Sequence, residues 1–175
     1  MIATAYDYPF SSDELLAAAK EWNCNCGPSA LAFALQVPLE RVRHVIPGFA
    51  EKGYTSPTMM KAALANLGRQ YTVAVDPDGY QLSDSQMFRP EIALVRIQIC
   101  GPWTAPGANP RWAYRATHWI ACWKREGMDA NRVFDCNAGV QWYPAWEMET
   151  MPLIVSKTER ANGKWFPTHV WRVAP

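Results

Sequence analysis

No apolar run in the chain approaches the roughly 20 residues that a helix needs to cross a bilayer, and residues 1–12 lack a basic segment leading into a hydrophobic one. On these two absences neither a membrane-spanning helix nor a secretory leader is expected, no membrane partner is expected, and the expected location is cytoplasmic. Charge of one sign is also missing. Seventeen Lys and Arg stand against 16 Asp and Glu, a net of +1, and the basic residues are scattered. Nucleic-acid binding needs a concentrated basic footprint, so no nucleic-acid partner is expected. A complete disulfide framework is excluded by an odd count of five cysteines with no repeated spacing, which points to reduced thiols.

What is there is an ordinary globular composition, 49% hydrophobic and 19% charged, in 175 residues. That length suits one domain, 1–175, with its own core. The excesses are nine Trp, seven Tyr and 14 Pro, which suggest an aromatic groove and long ordered loops.

The first 70 residues read as helical. Ser11 with Glu14 three residues on is a capping box that opens a first helix, and Asn23 to Asn25 breaks it. The segment from Pro28 to about Gln36 is apolar on nearly every face, so it is expected to be buried. Pro at a first helical turn gives up only an N–H without an intrahelical partner. Leu39, Val42, Val45 and Ile46 mark a short amphipathic helix that carries His44, and Ser56-Pro57 opens another that Gly68 stops. Past Gly68 the pattern changes to β. Strands are expected over 71–75, 92–99, 117–123 and 132–136, with two more at about 153–157 and 164–173. Asp76-Pro77-Asp78-Gly79 is a turn, and Gly127 lies in the connection between the third and fourth strands. Helices followed by an antiparallel sheet make an α+β fold, with a central buried helix packed on the sheet. Residues 100–116 form a long connection carrying Trp103, Trp112 and Tyr114, to be read either as a binding loop or as a surface excursion pinned by its aromatics.

The stretch that organises the chain is Asn23-Cys24-Asn25-Cys26-Gly27-Pro28-Ser29. It sets the Cys26 thiol at a helix start, where the helix dipole favours thiolate. Strand alternation puts His118, Ile120 and Cys122 on one face, and Val133, Asp135 and Asn137 together in the next strand. An imidazole and a carboxylate or amide then share a face, which is the orienting half of a Cys-His-Asp or Cys-His-Asn triad. Cys24 gains less from the dipole, while Cys100, Cys122 and Cys136 read as core residues. His44 and His169 read as solvated or structural. A metal site from Cys24, Cys26, His118 and Cys122 has suitable residue types but no paired cysteine spacing, and no metal or cofactor is expected.

The series from Asn25 to Leu31, then His118-Trp119-Ile120, then Phe134 to Gly139 resembles papain-like cysteine peptidases. Within them it is most similar to those that trim double-glycine leader peptides from bacteriocins. The segments around Trp103 and His118 also resemble small proteins encoded in bacterial prophages. The first resemblance implies a papain-like fold with Cys26 as nucleophile, His118 as base and Asp135 as the orienting residue, Asn137 being its rival. It also implies a peptide or protein substrate and a cytoplasmic setting in a bacterial or phage-infected cell. Those peptidases carry a Gln six residues before the nucleophile to bind the oxyanion. Here that position is Lys20, so Asn23 or Asn25 is expected to substitute, together with the N–H of Cys26. Two other readings use the same residues or fold: an acyl transferase of transglutaminase-like type, and a non-catalytic phage-encoded protein that modulates a host protein through its aromatic loop.

Overall fold

A computed structural model describes residues 8–75, 92–112, 115–124 and 131–174. Five helices come first: α1 (Ser12–Trp22), α2 (Cys26–Leu35), α3 (Leu39–Arg43), α4 (Phe49–Lys52) and α5 (Pro57–Asn66). The reciprocal Ser11–Glu14 box caps α1, and Ser56 caps α5 ahead of its Pro57. In α3, Leu39 and Val42 are buried, with Ile46 just beyond it, while His44 closes the helix with its side chain in solvent.

The sheet has six strands: β1 (Tyr71–Val75), β2 (Ala93–Ile99), β3 (Thr117–Lys124), β4 (Asn131–Asp135), β5 (Gly139–Trp142) and β6 (Trp165–Val173). Their order is β1-β6-β2-β3-β4-β5 with every neighbouring pair antiparallel. The α+β architecture with an antiparallel sheet is therefore as expected. The turn at 76–79 and the connection through Gly127 lie outside the described residues.

Two sequence expectations are corrected. Residues 153–157 are not a strand. Tyr143–Ala145 (α6) runs through a π-helical turn, Trp146–Thr150, into the helix Met151–Ser156 (α7). A short apolar run does not separate helix from strand by itself. Here Pro152 stands in the first turn of α7, and Met151 and Val155, four residues apart, are both buried, as they are on one helical face. The second correction is β5, which was not expected. Its sequence is short and half-polar, and it is set by the turn that returns from Asp135 to Gly139, closed by the Ala138 N–H on the Asp135 carbonyl at 3.0 Å. Gly139 takes φ 73° there, and a Cβ on it would stand 2.7 Å from Tyr8 Oη, so the turn is written for glycine.

The sheet separates two apolar layers. On one face Trp119, Ala121, Trp123 and Phe134 meet α2, whose residues from Gly27 to Leu35 are all buried. Phe33 of α2 stacks on Phe134 with ring centres 4.3 Å apart. On the other face Ile120, Cys122 and Val133 pack under Tyr143, Trp146, Met151 and Val155. The alternation expected for 117–123 thus divides β3 between the two layers. No described helix is long and apolar enough to cross a membrane.

The long connection 100–116 contains two single 3-10 turns, Pro102–Thr104 and Pro110–Trp112. Trp103 folds back over Gly101, and its Nε1–H donates to the Ile99 carbonyl at 2.7 Å, so this aromatic pins the loop to the sheet. Trp112 is exposed, with Arg115 over its ring. Tyr114 lies outside the described residues.

Candidate active site

Asn25 is the residue that starts α2. In an extended conformation it accepts the Gly27 N–H on Oδ1 at 3.3 Å, while its Nδ2 donates to the Gly53 carbonyl at 2.8 Å. One side chain therefore caps the helix and ties its start to the loop that precedes α5. Cys26 is the first helical residue, half-buried. Pro28 has no N–H and that of Gly27 is turned to Asn25, so the N–H that this helix start offers beside the thiol is that of Cys26 itself. Gly27 is required by packing: a Cβ there would stand 2.2 Å from Thr55 Oγ1. Thr55 is held in place by its carbonyl, which accepts Trp119 Nε1–H at 2.8 Å. Its hydroxyl is buried without a hydrogen-bond partner among the described residues.

His118 comes from the start of β3, ahead of Ala121, the first β3 residue in register with β4. Its Nε2–H donates to Asp135 Oδ2 at 2.8 Å, both side chains being buried. Cys26 is its second electrostatic partner, each group favouring the charged form of the other. The imidazole thus joins the two layers of the fold: Cys26 belongs to the helical layer, while Asp135 is held from the opposite one. Trp146 in the π-helical turn donates its Nε1–H to Asp135 Oδ2 at 2.8 Å, and the N–H and Nδ2–H of Asn137 donate to Oδ1 at 2.9 and 3.0 Å. Asn137 is therefore a support of the carboxylate, and Asp135 is the direct partner of His118.

The electrostatics follow from this placement. Burial opposes ionisation of Cys26, but the His118 imidazolium, its hydrogen bond and the Trp119 N–H on the sulfur outweigh it, and the thiol lies below its ordinary value. Burial likewise works against a charged His118. The Cys26 thiolate and the Asp135 carboxylate overcome that and raise it to about 10. Asp135, although burial works against its charge, is held below the usual carboxylate range by His118, Trp146 and Asn137. Three other thiols go the other way. Burial, and after it the neighbouring Cys26 charge, raises Cys24 to about 12 and Cys136 higher still; burial, then the Asp135 charge, raises Cys122. Of Cys24, Cys26, Cys122 and Cys136, Cys26 is the one whose surroundings favour the thiolate.

Of the sequence-selected residues, Cys26, His118, Asp135 and Asn137 come together. Asn23 does not join them: it closes α1 at φ 60°, exposed, with its Nδ2 beside Gly53. The reason is local, since a residue ending a helix in the left-handed conformation turns away from the next helix start. Lys20 is exposed on α1, and the Asn25 side chain is already engaged. Trp146 and Cys136 were missed. Trp146 lies between the expected strands, in a segment to which the sequence assigns no element. Cys136 reads as core, but follows Asp135 directly into the turn and is half-buried at the site. Its sequence signal was adjacency to the orienting residue.

His118, Asp135 and Cys136 have donor atoms within 4.8 Å of one another. The four acceptor positions of Asp135 are already filled by N–H donors, so the carboxylate acts as an orienting group and not as a vacant metal ligand. Cys122, weighed with Cys24 and Cys26 as a metal ligand, is fully buried in the apolar layer opposite α2.

Beside the site lies a groove of about 650 Å3, whose walls include Phe10, Leu15, Cys24, Asn25, Cys136 and Asn137, with no charged side chain among the described residues that line it. Comparison of the chain with protein-family models, with curated proteins and with solved structures finds no match.

Proposed function

We propose that the chain is a thiol hydrolase on a papain-like scaffold, acting on a peptide or isopeptide bond. One observation carries this reading: His118 is held through Nε2 by a saturated, buried carboxylate, and its charge and that of Cys26, a thiol at a helix start, favour one another. In this reading the Cys26 thiolate attacks the carbonyl carbon. The His118 imidazolium then protonates the leaving amine, and neutral His118 next takes a proton from the water that releases the acyl group. Asp135 fixes the tautomer with the proton on Nε2 and stabilises the imidazolium. The oxyanion falls to the Cys26 N–H, since the Asn25 side chain is already engaged at the helix start. Transfer to an amine in place of water shares every step up to the acyl-enzyme, so acyl transferase activity rests on the same geometry.

The test is alkylation of the intact chain by iodoacetamide across pH, read at each cysteine by mass spectrometry. With Cys26 lowered and His118 raised to about 10, the ion pair occupies the interval between the two values. Cys26 is expected to react at a rate that is flat through about pH 7, where an ordinary thiol of pKa about 8.5 is still climbing. An activated ester should then leave an acyl group on Cys26 that Cys26→Ala abolishes. A Cys26 profile that follows an ordinary thiol would refute the hydrolase.

A further inference from the structure

Cys136 has no part in the proposed hydrolysis, yet it is placed against the groups that perform it. Its sulfur lies within 4.8 Å of a His118 ring nitrogen and an Asp135 oxygen. It also shares a hydrogen bond with Ser29, one turn into α2, whose Oγ donates to the carbonyls of Asn25 at 2.7 Å and Cys26 at 3.3 Å. Ser29 therefore bridges the backbone of the nucleophile to the Cys136 thiol. Cys136 lines the groove beside the site and is half-buried, as is Cys26, so an oxidant or a small movement of the turn can bring the two sulfurs into use.

We infer that Cys136 is a resolving thiol for Cys26, making the pair a site of reversible oxidation by hydroperoxides. The inference rests on the Cys26 thiolate of the proposed site but not on hydrolysis. In the first step Cys26 sulfur attacks the distal peroxide oxygen. The S–O bond forms, the O–O bond breaks, sulfur is oxidised by two electrons, and the alkoxide leaves as alcohol with the proton of His118. In the second, Cys136 attacks the sulfenic sulfur. The S–S bond forms, the S–O bond breaks, and the departing hydroxide takes the Cys136 proton as water. The raised pKa of Cys136 keeps it a thiol, so the first oxidation falls on Cys26.

Cys24 is the competitor. It is closer in sequence but buried in the helical layer, with one residue between it and Cys26. Treatment of the full chain with hydrogen peroxide, followed by alkylation and peptide mapping, separates the two. The expected product is a Cys26–Cys136 disulfide that dithiothreitol reverses, restoring iodoacetamide reactivity in full. In Cys136→Ser the disulfide should be lost and Cys26 should proceed to sulfinic acid, which dithiothreitol does not reverse; Cys24→Ser should leave the Cys26–Cys136 link in place. A Cys24–Cys26 link, or Cys26 overoxidised in the unmodified chain with Cys136 still free, overturns the inference and leaves the hydrolase reading standing. If Cys26 is not oxidised ahead of the other four thiols, both readings fall.

Discussion

The imidazole of the site is fixed through one buried carboxylate that accepts four hydrogen bonds, whereas Asn23, one of the two residues expected to substitute at the oxyanion, stands in solvent, as does Lys20. The first arrangement draws on β3, the Asp135 turn and the π-helical turn, so several distant segments agree on one proton-bearing group. The second is left to the backbone of a helix start. Side-chain networks of the first kind lose their function when one member is removed, because the others remain buried and unpaired. Backbone donors are insensitive to substitution. Thiolate formation and oxyanion binding are therefore separable in this molecule, and single substitutions test each half.

The largest effect is expected from His118→Ala. It removes the proposed acid and base, a role worth about 10²–10⁴-fold in rate, and leaves the Asp135 charge buried beside a cavity. Cys26 should then alkylate as a slow, ordinary thiol, its rate rising with pH where the unmodified chain is flat. The same residue sets the alkaline limit of stability. His118 lies above its unfolded value of about 6.5, so the stabilisation from its charge is complete below that value and is lost as pH climbs through about 10. Denaturation midpoints measured across that range should fall in the unmodified chain and stay level in the variant.

A smaller effect is expected from Trp146→Phe, which keeps the ring and deletes one N–H donor to Asp135 Oδ2. Hydrogen bonds to charged groups contribute about 1.5–3 kcal/mol, and chemical denaturation should show a loss of that size. The Cys26 alkylation profile should also shift, its acid limb moving to higher pH as the carboxylate that holds the imidazolium is less well stabilised. A stability loss without that shift would mean that Trp146 only packs. The smallest effect is expected from Asn23→Ala. A side chain that binds an oxyanion is worth about 10²–10³-fold in turnover; here turnover of an activated ester should change by no more than about twofold. A larger loss would bring Asn23 into the site and erase the contrast between its two halves.

Much of this was legible in the residues. Ser11 with Glu14 and Ser56-Pro57 announce their helix starts because capping is local chemistry, and the run from Pro28 to Leu35 is apolar all round because it is covered all round. The period-two pattern of β3 and β4 was enough to bring His118 and Asp135 to one face. The segment 153–157 failed because its three-residue apolar run, Leu153 to Val155, satisfies both periods. What selects the helix is the fit of Met151 and Val155 beneath the sheet, a tertiary fact. Trp146 was invisible for the same reason: its meaning lies in the Asp135 oxygen it reaches, eleven residues away, and no spacing rule predicts that. Asn23 was chosen for its amide, whereas its place at the end of α1 follows from a left-handed backbone at φ 60°.

The strand order has a consequence in time. β6 lies between β1 and β2, with Val170 opposite both Val75 and Val95, so the middle of the sheet is closed by pairings of high sequence separation. Such pairings form slowly, since the chain entropy of closing long loops is lost before their contacts are made. Cys26 and α2, by contrast, are completed early in synthesis, well before β3, β4 and Trp146 exist to charge the thiol. During that interval Cys26 is an uncharged cysteine on an unanchored helix. Its reactivity is therefore a late product of folding, and iodoacetamide labelling of Cys26 during refolding should rise with sheet closure and not with the appearance of helix.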